Sequence, residues 1–348
     1  MTALIEAVHL RKTFGETVAV EDLSLHVEEG EIYGLVGSDG AGKTTAIRLL
    51  VGALKPDGGG ATICGYSVAT QTEQARSQLG YLSQRFSLYE DLTVLENIRF
   101  FAELRGLKQK EWLPRCMEIL EFVGLAGFKD RRAGQLSGGM KQKLGLASSL
   151  VTRPKVLLLD EPTTGVDPVT RQDFWQLLIR LVSISPSLAP VSSPVGGGEK
   201  DGRGVSVILT TPYMDEASRC QRIGFMRSGK LIAEGSPSQL RLGLNGRIIE
   251  VRGESPIKLR PVVENLNGVE DVRAFGDKLH VRAEAGKAKA VLAALAKAFP
   301  SRGEKHVEAR IVPPTLEDVF ISLTGTQTKM PGDESTGSLT KYVSAGKI

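Results

Sequence analysis

Residues 37–44 read GSDGAGKT and match the pattern G-x-x-x-x-G-K-[ST]. They follow the apolar residues 32–36 and precede residues 45–50, whose apolar spacing is typical of a helix. In this order of strand, loop and helix, the glycines let backbone N–H groups close around phosphate oxygens. The pattern therefore predicts a phosphate-binding site at the end of a strand.

The side chains of this loop predict the rest of the site. Lys43 would place a positive charge on the β and γ phosphates, and the Thr44 hydroxyl would reach Mg²⁺. A glycine-rich turn without a ligand is the alternative, which the flanking strand and helix disfavour. The predicted nucleotide-binding residues are Gly37, Ser38, Asp39, Gly40, Ala41, Gly42, Lys43, Thr44 and Thr45.

A second apolar run, residues 156–160, ends in an acid and is followed by another. Its continuous hydrophobicity is typical of a parallel strand that is buried on both faces. Asp160 would hold Mg²⁺ through water, and Glu161 would face an attacking water, because adjacent residues at a strand end point in different directions. Two acids after a strand are otherwise a solvated strand end, but the phosphate loop favours the catalytic interpretation.

The segment Ser137, Gly138 and Gly139 opens a predicted helix and offers free N–H groups to an anion. It lies about 95 residues after the first loop and directly before the acidic strand. One chain rarely needs two phosphate sites for one nucleotide, unless two copies packed head to tail share each nucleotide.

Residues from about 4 to about 240 resemble the nucleotide-binding subunit of ABC transporters, with phosphate loop, signature and acidic strand in the family's order. The resemblance implies an ATPase that binds ATP and Mg²⁺, with Glu161, Lys43 and Gln84 as catalytic residues and Thr44, Gln84 and Asp160 at the metal. It also implies a dimer of identical or different subunits, in which Ser137, Gly138 and Gly139 cap the γ-phosphate of the other copy. Phe14 matches the aromatic residue that stacks on adenine, although a core position is the open alternative. Residues 165–167 match the dimer-interface loop.

The implied fold is α/β, a P-loop NTPase of ABC type with a mixed sheet core and a helical subdomain at about residues 86–150. This ATPase domain would span residues 1–240. In the family, the helical subdomain docks the membrane partner, and Phe86, Leu88, Tyr89 and Leu92 are candidate contacts or, equally, core residues. Residues 183–204, rich in proline, serine and glycine, are predicted to form a flexible insertion.

After residue 240 the pattern changes to short strands at 248–251, 279–281 and 307–311, with a helix at 287–299. This alternation predicts a small C-terminal α/β accessory domain over residues 241–326. Residues 313–325 resemble the C-terminal signature of drug-exporting ATPases of the ABC-2 type, which implies bacterial multidrug efflux with separate ABC-2 permease subunits. The polar tail, residues 327–348, is predicted to be disordered.

Composition limits the other classes. The 348 residues are 41% hydrophobic and 24% charged, which is typical of a globular chain, and no apolar run approaches the length of a membrane span. The start of the sequence shows no signal peptide, and three widely spaced cysteines favour neither a disulfide framework nor a zinc site. A net charge of +4 without a basic run disfavours nucleic-acid binding. We expect a cytoplasmic protein, peripheral on the inner face of the cell membrane.

Residues 209–217, LTTPYMDEA, resemble the switch segment of ABC ATPases, in which a histidine usually stands at the position of Pro212. The proline side chain has no group that could reach a γ-phosphate or orient water. Three functions stay open: a transport ATPase that exports a drug-like or lipophilic substrate, an ATP-gated subunit with weak hydrolysis, and an ABC ATPase outside transport. Both Asp160 and Glu161 are present, which disfavours the second. ABC ATPases outside transport usually have two cassettes in one chain or a long coiled-coil or zinc insertion, and this sequence shows neither.

Overall fold

The computed structural model describes residues 3–84, 88–183, 205–253, 255–299 and 307–325. Phe86, nearly all of the predicted insertion 183–204 and the predicted tail 327–348 lie outside the described residues. Ser183, the first residue of that insertion, is the last residue of a helix.

The main sheet of the described chain has ten strands in the order β5-β4-β1-β2-β10-β9-β3-β8-β7-β6. Strands β9, β3, β8, β7 and β6 run parallel to one another, whereas β5, β4, β1 and β2 form antiparallel pairs. Strand β10 pairs antiparallel with β9 and parallel with β2, so the sheet is mixed as predicted. The strands are β1 Ala3–Phe14, β2 Thr17–Glu28, β3 Ile32–Val36, β4 Gly58–Ile63, β5 Tyr66–Ser67, β6 Leu79–Leu82, β7 Val156–Asp160, β8 Ser206–Thr211, β9 Arg222–Arg227 and β10 Lys230–Gly235.

Helices cover the sheet and form the predicted helical stretch between β6 and β7. The helix predicted at the start of this stretch begins with a capping box, in which Thr93 and Glu96 exchange hydrogen bonds. The helices are α1 Lys43–Leu50, α2 Thr72–Ser77, α3 Val94–Leu104, α4 Gln109–Phe122, α5 Gly138–Leu150, α6 Pro168–Ser183, α7 Met214–Ala217 and α8 Pro237–Leu242.

The three central strands β3, β8 and β7 are buried along their whole length. Apolar side chains alternate to the two faces, where Trp175 of α6 packs on one side and Ile47 of α1 on the other. Because these strands are parallel, their carboxyl ends meet at one edge of the sheet. This edge receives the phosphate loop after β3, the two acids at the end of β7 and the switch segment after β8.

The C-terminal part forms a second, antiparallel sheet of four strands in the order β12-β13-β11-β14. Its elements are β11 Ile248–Arg252, α9 Pro256–Glu264, β12 Val269–Phe275, β13 Lys278–Ala283, α10 Ala288–Ala298, β14 Glu308–Val312 and α11 Leu316–Thr324. The strands and the helix predicted from periodicity are present. Helix α9 and strand β12 were not predicted, since two prolines interrupt the helical pattern of α9 and charged residues obscure the alternation of β12.

Helix α11 returns to the main sheet. The ring of Phe320 lies 5.3 Å from the ring of Phe225 on β9, and Leu316 and Val319 share a hydrophobic cluster with Ala217 of α7. In the first turn of the same helix, the Asp318 carboxylate lies 2.9 Å from the buried ring of His280 on β13. Through α11, the second sheet therefore contacts α7, the helix at the end of the switch segment.

Glu250 organises the polar face of the second sheet. Its carboxylate accepts hydrogen bonds from Lys278 at 2.6 Å, Arg310 at 2.9 Å and Arg252 at 3.0 Å. The hydrogen bond from Lys278 is the largest of the effects that lower the pKa of Glu250 from 4.5 to about 2. A folded-state pKa below the unfolded value means that this group contributes stability above about pH 4.5 and loses it as the pH falls towards 2.

We predict that Glu250→Gln lowers the free energy of unfolding at pH 7, and that its difference from the wild type shrinks between about pH 5 and pH 2.5. Urea titrations followed by circular dichroism at several pH values measure this difference. Glu264→Gln, in the exposed pair with Arg260 on α9, is the matched control and should cost at most about 0.5 kcal/mol. A cost at Glu250 that stays constant with pH would contradict the role given to its charge.

Candidate functional site

The phosphate loop turns sharply out of β3 and requires glycine at two positions. A Cβ atom at Gly37 would overlap the carbonyl oxygen of Met226, and a Cβ atom at Gly42 would overlap that of Ala19. Gly42 also has a φ of 104°, which side chains with a Cβ rarely adopt. Gly37 donates its N–H to the carbonyl oxygen of Thr211 at 3.3 Å, so the loop is attached to the end of β8.

Lys43 starts α1 and is 3% exposed. Its ammonium group donates to the carbonyl oxygens of Gly37 at 2.9 Å and Ser38 at 3.0 Å, and lies 3.2 Å from Oε1 of Glu161. The loop therefore curls around its own lysine. A phosphate bound at the N-terminus of α1 would meet this charge together with the free N–H groups of the helix.

Asp160 is buried at the end of β7. Its Oδ1 accepts hydrogen bonds from the hydroxyls of Thr210 at 2.8 Å and Thr44 at 3.1 Å. Its Oδ2 is buried and has no hydrogen-bond partner among the residues described. Burial raises the pKa of Asp160 above its ordinary value, although the two hydroxyls oppose this. A carboxylate oxygen without a partner beside the Thr44 hydroxyl suits a hard cation such as Mg²⁺.

Glu161 follows with a φ of 48°, an unusual conformation for a residue with a Cβ. Its N–H donates to the Thr210 hydroxyl at 2.9 Å, and its Oε2 accepts from Gln84 at 3.1 Å and Thr164 at 3.2 Å. The carboxylate therefore faces the lysine and the glutamine, whereas Asp160 faces the threonines. The two carboxylates have separate hydrogen-bond partners, and their roles at metal and water stay predictions.

The signature residues start α5. The Ser137 hydroxyl accepts from the Met140 N–H at 3.3 Å, and Gly138 has open space around it. A Cβ atom at Gly139 would overlap the Thr170 side chain, so α5 and the first turn of α6 are in direct contact. Asp167, in the predicted interface loop, caps α6 by accepting from the N–H groups of Val169 and Thr170. Contact of the signature with a second copy stays a prediction.

Phe14 ends β1 and is 49% exposed, with the Lys12 ammonium 5.6 Å from the ring centre. A ring with this exposure does not fill the core, so the core alternative for Phe14 is disfavoured. Ser38, Asp39 and Gly40 are exposed on the loop, and Thr45 is partly buried in α1.

Sequence reasoning missed Thr210 and the polar cluster behind it. Thr210 touches both acids, and Thr211 is hydrogen-bonded to the buried Glu216 at 2.6 Å. Two threonines that end an otherwise apolar strand beside β7 were the available signal. The partners of Thr210 lie 49 and 50 residues away in sequence, and nothing local identifies them.

Comparisons with known proteins agree with this geometry. A sequence model of the family described as ABC transporter matches residues 20–164, and a second model, described as AAA domain, putative AbiEii toxin, Type IV TA system, matches residues 120–212. The chain is 36% identical over 327 residues to the Nod factor export ATP-binding protein I of Paraburkholderia xenovorans (strain LB400), covering 93% of this chain and 97% of that protein. The chain belongs to the family of ABC transporter ATP-binding subunits.

A further relative is the probable multidrug ABC transporter ATP-binding protein YbhF of Escherichia coli (strain K12), 43% identical over 229 residues. That match covers 66% of this chain and only 36% of the relative. Among solved structures, the chain is similar to an ATP-binding subunit of an ABC transporter, with 27% identity, a TM-score of 0.57 and coverage of 68% and 92%. It is also similar to a dimeric ATP-binding cassette in a post-hydrolysis state bound to ADP and Pi, with 26% identity, a TM-score of 0.56 and coverage of 67% and 98%.

Within the residues described, none of the helices has the length and apolar character needed to span a bilayer.

We predict that Thr210→Val lowers the ATPase rate at least about tenfold and destabilises the fold by about 1–3 kcal/mol. The isosteric change leaves the buried N–H of Glu161 without an acceptor and takes a donor from Asp160. Steady-state phosphate release and thermal unfolding measure the two effects. Thr210→Ser keeps the hydroxyl and is the control. Equal rates in both variants would show that the hydroxyl does not orient the acids.

Proposed function

We propose that this chain hydrolyses ATP and couples the reaction to export of a substrate through separate membrane subunits. The observation that supports this function most directly is the convergence of Lys43, Asp160 and Glu161 at the common edge of β3, β8 and β7. A cation for phosphate, a carboxylate with a free oxygen and a second carboxylate for water are the groups that phosphoryl transfer requires.

ATP would bind with its phosphates at the N-terminus of α1 and its adenine against Phe14. Lys43 would exchange its contact with Glu161 for phosphate oxygens, and the N–H groups of the loop would donate to the remaining ones. The residues that would hold Mg²⁺ are Thr44, Asp160 and Gln84. The bound metal would neutralise phosphate charge.

Glu161 would orient the attacking water and accept its proton. The contact with Gln84 and the unusual backbone conformation hold its carboxylate close to Lys43 before substrate binds. Little covalent chemistry is needed, because positioning and charge stabilisation supply most of the catalysis of phosphoryl transfer.

A dimer would complete the site. Ser137, Gly138 and Gly139 at the start of α5 would cap the γ-phosphate bound by the other copy, which is identical or is a related subunit. The dimeric cassette to which this chain is similar supports this arrangement. ATP would close the dimer, and hydrolysis would open it.

The membrane partner would dock beside β6. A cavity of about 470 Å³ lies between this strand and the helices α3 and α5, with Tyr81, Leu88, Phe101 and Leu104 among its lining residues. Tyr89, a predicted contact, is half-exposed and packs against Phe100, with ring centres 4.7 Å apart. This groove would receive a permease of the ABC-2 type and would keep the chain on the cytoplasmic face of the membrane.

The relatives named for multidrug and Nod factor export support export of a drug-like or lipophilic substrate and give no support to nucleic-acid binding. We also propose that residues 1–240 and 241–326 form two domains, the second an accessory to the ATPase.

Pro212 supports a second candidate, an ATP-gated subunit with weak hydrolysis. Its side chain offers no hydrogen bond to a γ-phosphate. This candidate and the ATPase share the fold, the ATP site and the dimer, and they differ only in the rate of turnover.

We predict that Glu161→Gln retains ATP binding and lowers the ATPase rate at least about 100-fold, the usual contribution of a general base. Phosphate release measures the rate, and a fluorescent ATP analogue measures binding. Glu121→Gln, an exposed position on α4, is the matched control and should behave as the wild type. A wild-type rate in Glu161→Gln would show that another group is the base.

We predict that Pro212→His changes the rate of the wild type less than about threefold, because the switch segment already has other buried hydrogen bonds. Pro212→Ala, measured in the same assay, separates the loss of the ring from the gain of the imidazole. A gain of tenfold or more with histidine alone would favour the weakly hydrolysing gate.

A further inference from the structure

Glu216, on the short helix α7 at the end of the switch segment, is an acid that none of the proposed steps uses. It is 1% exposed, and its carboxylate accepts hydrogen bonds from the hydroxyls of Thr163 and Thr211. A buried carboxylate is costly unless it is well paired, and both oxygens here are hydrogen-bonded.

The two hydroxyls belong to the two segments beside the candidate catalytic acids, the loop after Glu161 and the switch segment. Thr163 lies two residues after Glu161. Thr211 ends β8, accepts the Tyr213 N–H on its hydroxyl at 3.0 Å, and accepts the Gly37 N–H on its carbonyl oxygen at 3.3 Å. One carboxylate therefore connects the loop after the candidate base, the switch segment and the first glycine of the phosphate loop.

Arg171 approaches the same carboxylate from α6. Its Nε lies 3.6 Å from Oε1 of Glu216, and its guanidinium lies 4.3 Å from the centre of the Tyr213 ring. The neighbouring Thr170 is the residue against which Gly139 packs. The switch segment therefore contacts Arg171 in two ways, through the Glu216 carboxylate and through the ring of Tyr213.

We propose that Glu216 is a positioning residue that fixes the switch segment and the loop of Glu161 relative to each other. This takes the place of orientation by a side chain at position 212, where the resemblance leads us to expect histidine, and the inference rests on the proposed ATP hydrolysis. Proline at 212 supplies neither a side-chain donor nor a backbone N–H. The geometry around Pro212 then depends on neighbouring groups. The Glu216 carboxylate contacts both Thr211 of the switch segment and Thr163 of the loop after Glu161.

Glu216→Gln in the full chain tests the proposal. Glutamine has the same size, but it lacks the charge that faces Arg171, and its amide N–H would force one of the two hydroxyls to turn from donor to acceptor. We expect kcat to fall about tenfold or more, because small displacements of catalytic groups have large costs. KM and the affinity for a fluorescent ATP analogue should stay within twofold of the wild type.

Asp215→Asn is the matched control, since it removes the same charge one residue earlier on the same helix, at a side chain that is 62% exposed. It should leave kcat and KM within twofold of the wild type, and the unfolding temperature within a few degrees. A Glu216→Gln variant whose kcat stays within twofold of the wild type would overturn the proposal. So would a parallel loss of ATP affinity and thermal stability, which indicates a structural role only.

A double-mutant cycle with Pro212→His separates positioning from packing. If the imidazole and Glu216 serve the same purpose, Glu216→Gln should lower kcat at least threefold less in the Pro212→His background. Equal costs in both backgrounds would contradict the inference. If Glu216→Gln does not fold, Thr211→Val and Thr211→Ser replace it in the test. A lower kcat in Thr211→Val that Thr211→Ser restores would support the role of Glu216. Equal kcat values in the two variants would refute it. An inactive wild type would instead refute the proposed ATPase.

Discussion

The site depends on the two hydrogen bonds of the Thr210 hydroxyl. It donates to Asp160 and accepts from the N–H of Glu161, so one buried oxygen positions the Asp160 carboxylate and the backbone of Glu161. This is possible because β8 lies between β3 and β7, with all three strands parallel and buried. The strand pairing aligns Thr210 with Asp160, and the unusual backbone of Glu161 is held by the same bond.

Charge distribution explains why this edge of the sheet is so strongly constrained. Lys43, Asp160 and Glu161 are all buried, and an isolated buried charge would be expensive. Lys43 lies against Glu161 and two carbonyl oxygens, and Asp160 against two hydroxyls. Each negative charge thus has a partner, while Oδ2 of Asp160 has none among the residues that the structure describes. That oxygen could bind a cation that accompanies the phosphates of a nucleotide.

The parts of this molecule that the sequence predicts well are those with local physical causes. The glycine pattern at 37–44 follows from steric overlap at Gly37 and Gly42, and the apolar run of β7 follows from burial on both faces. Thr210 and Glu216 were not predicted, because the contacts of Thr210 with Asp160 and Glu161 and of Glu216 with Thr163 span 49 to 53 residues and depend on the order of the strands. Helix α9 was missed because Pro261 within it conceals an apolar face that only packing on β12 and β13 stabilises.

Pro212 has a consequence for the protons available at this edge of the sheet. Residues 160–164 and 210–217 contain carboxylates, hydroxyls and one phenol but no imidazole. Histidine is the side chain whose ordinary pKa lies within the range of cellular pH. A histidine at this position would bind a proton and become positively charged when the surroundings become mildly acidic. The proline side chain has no titratable group. The switch position of this chain therefore keeps the same charge across that range.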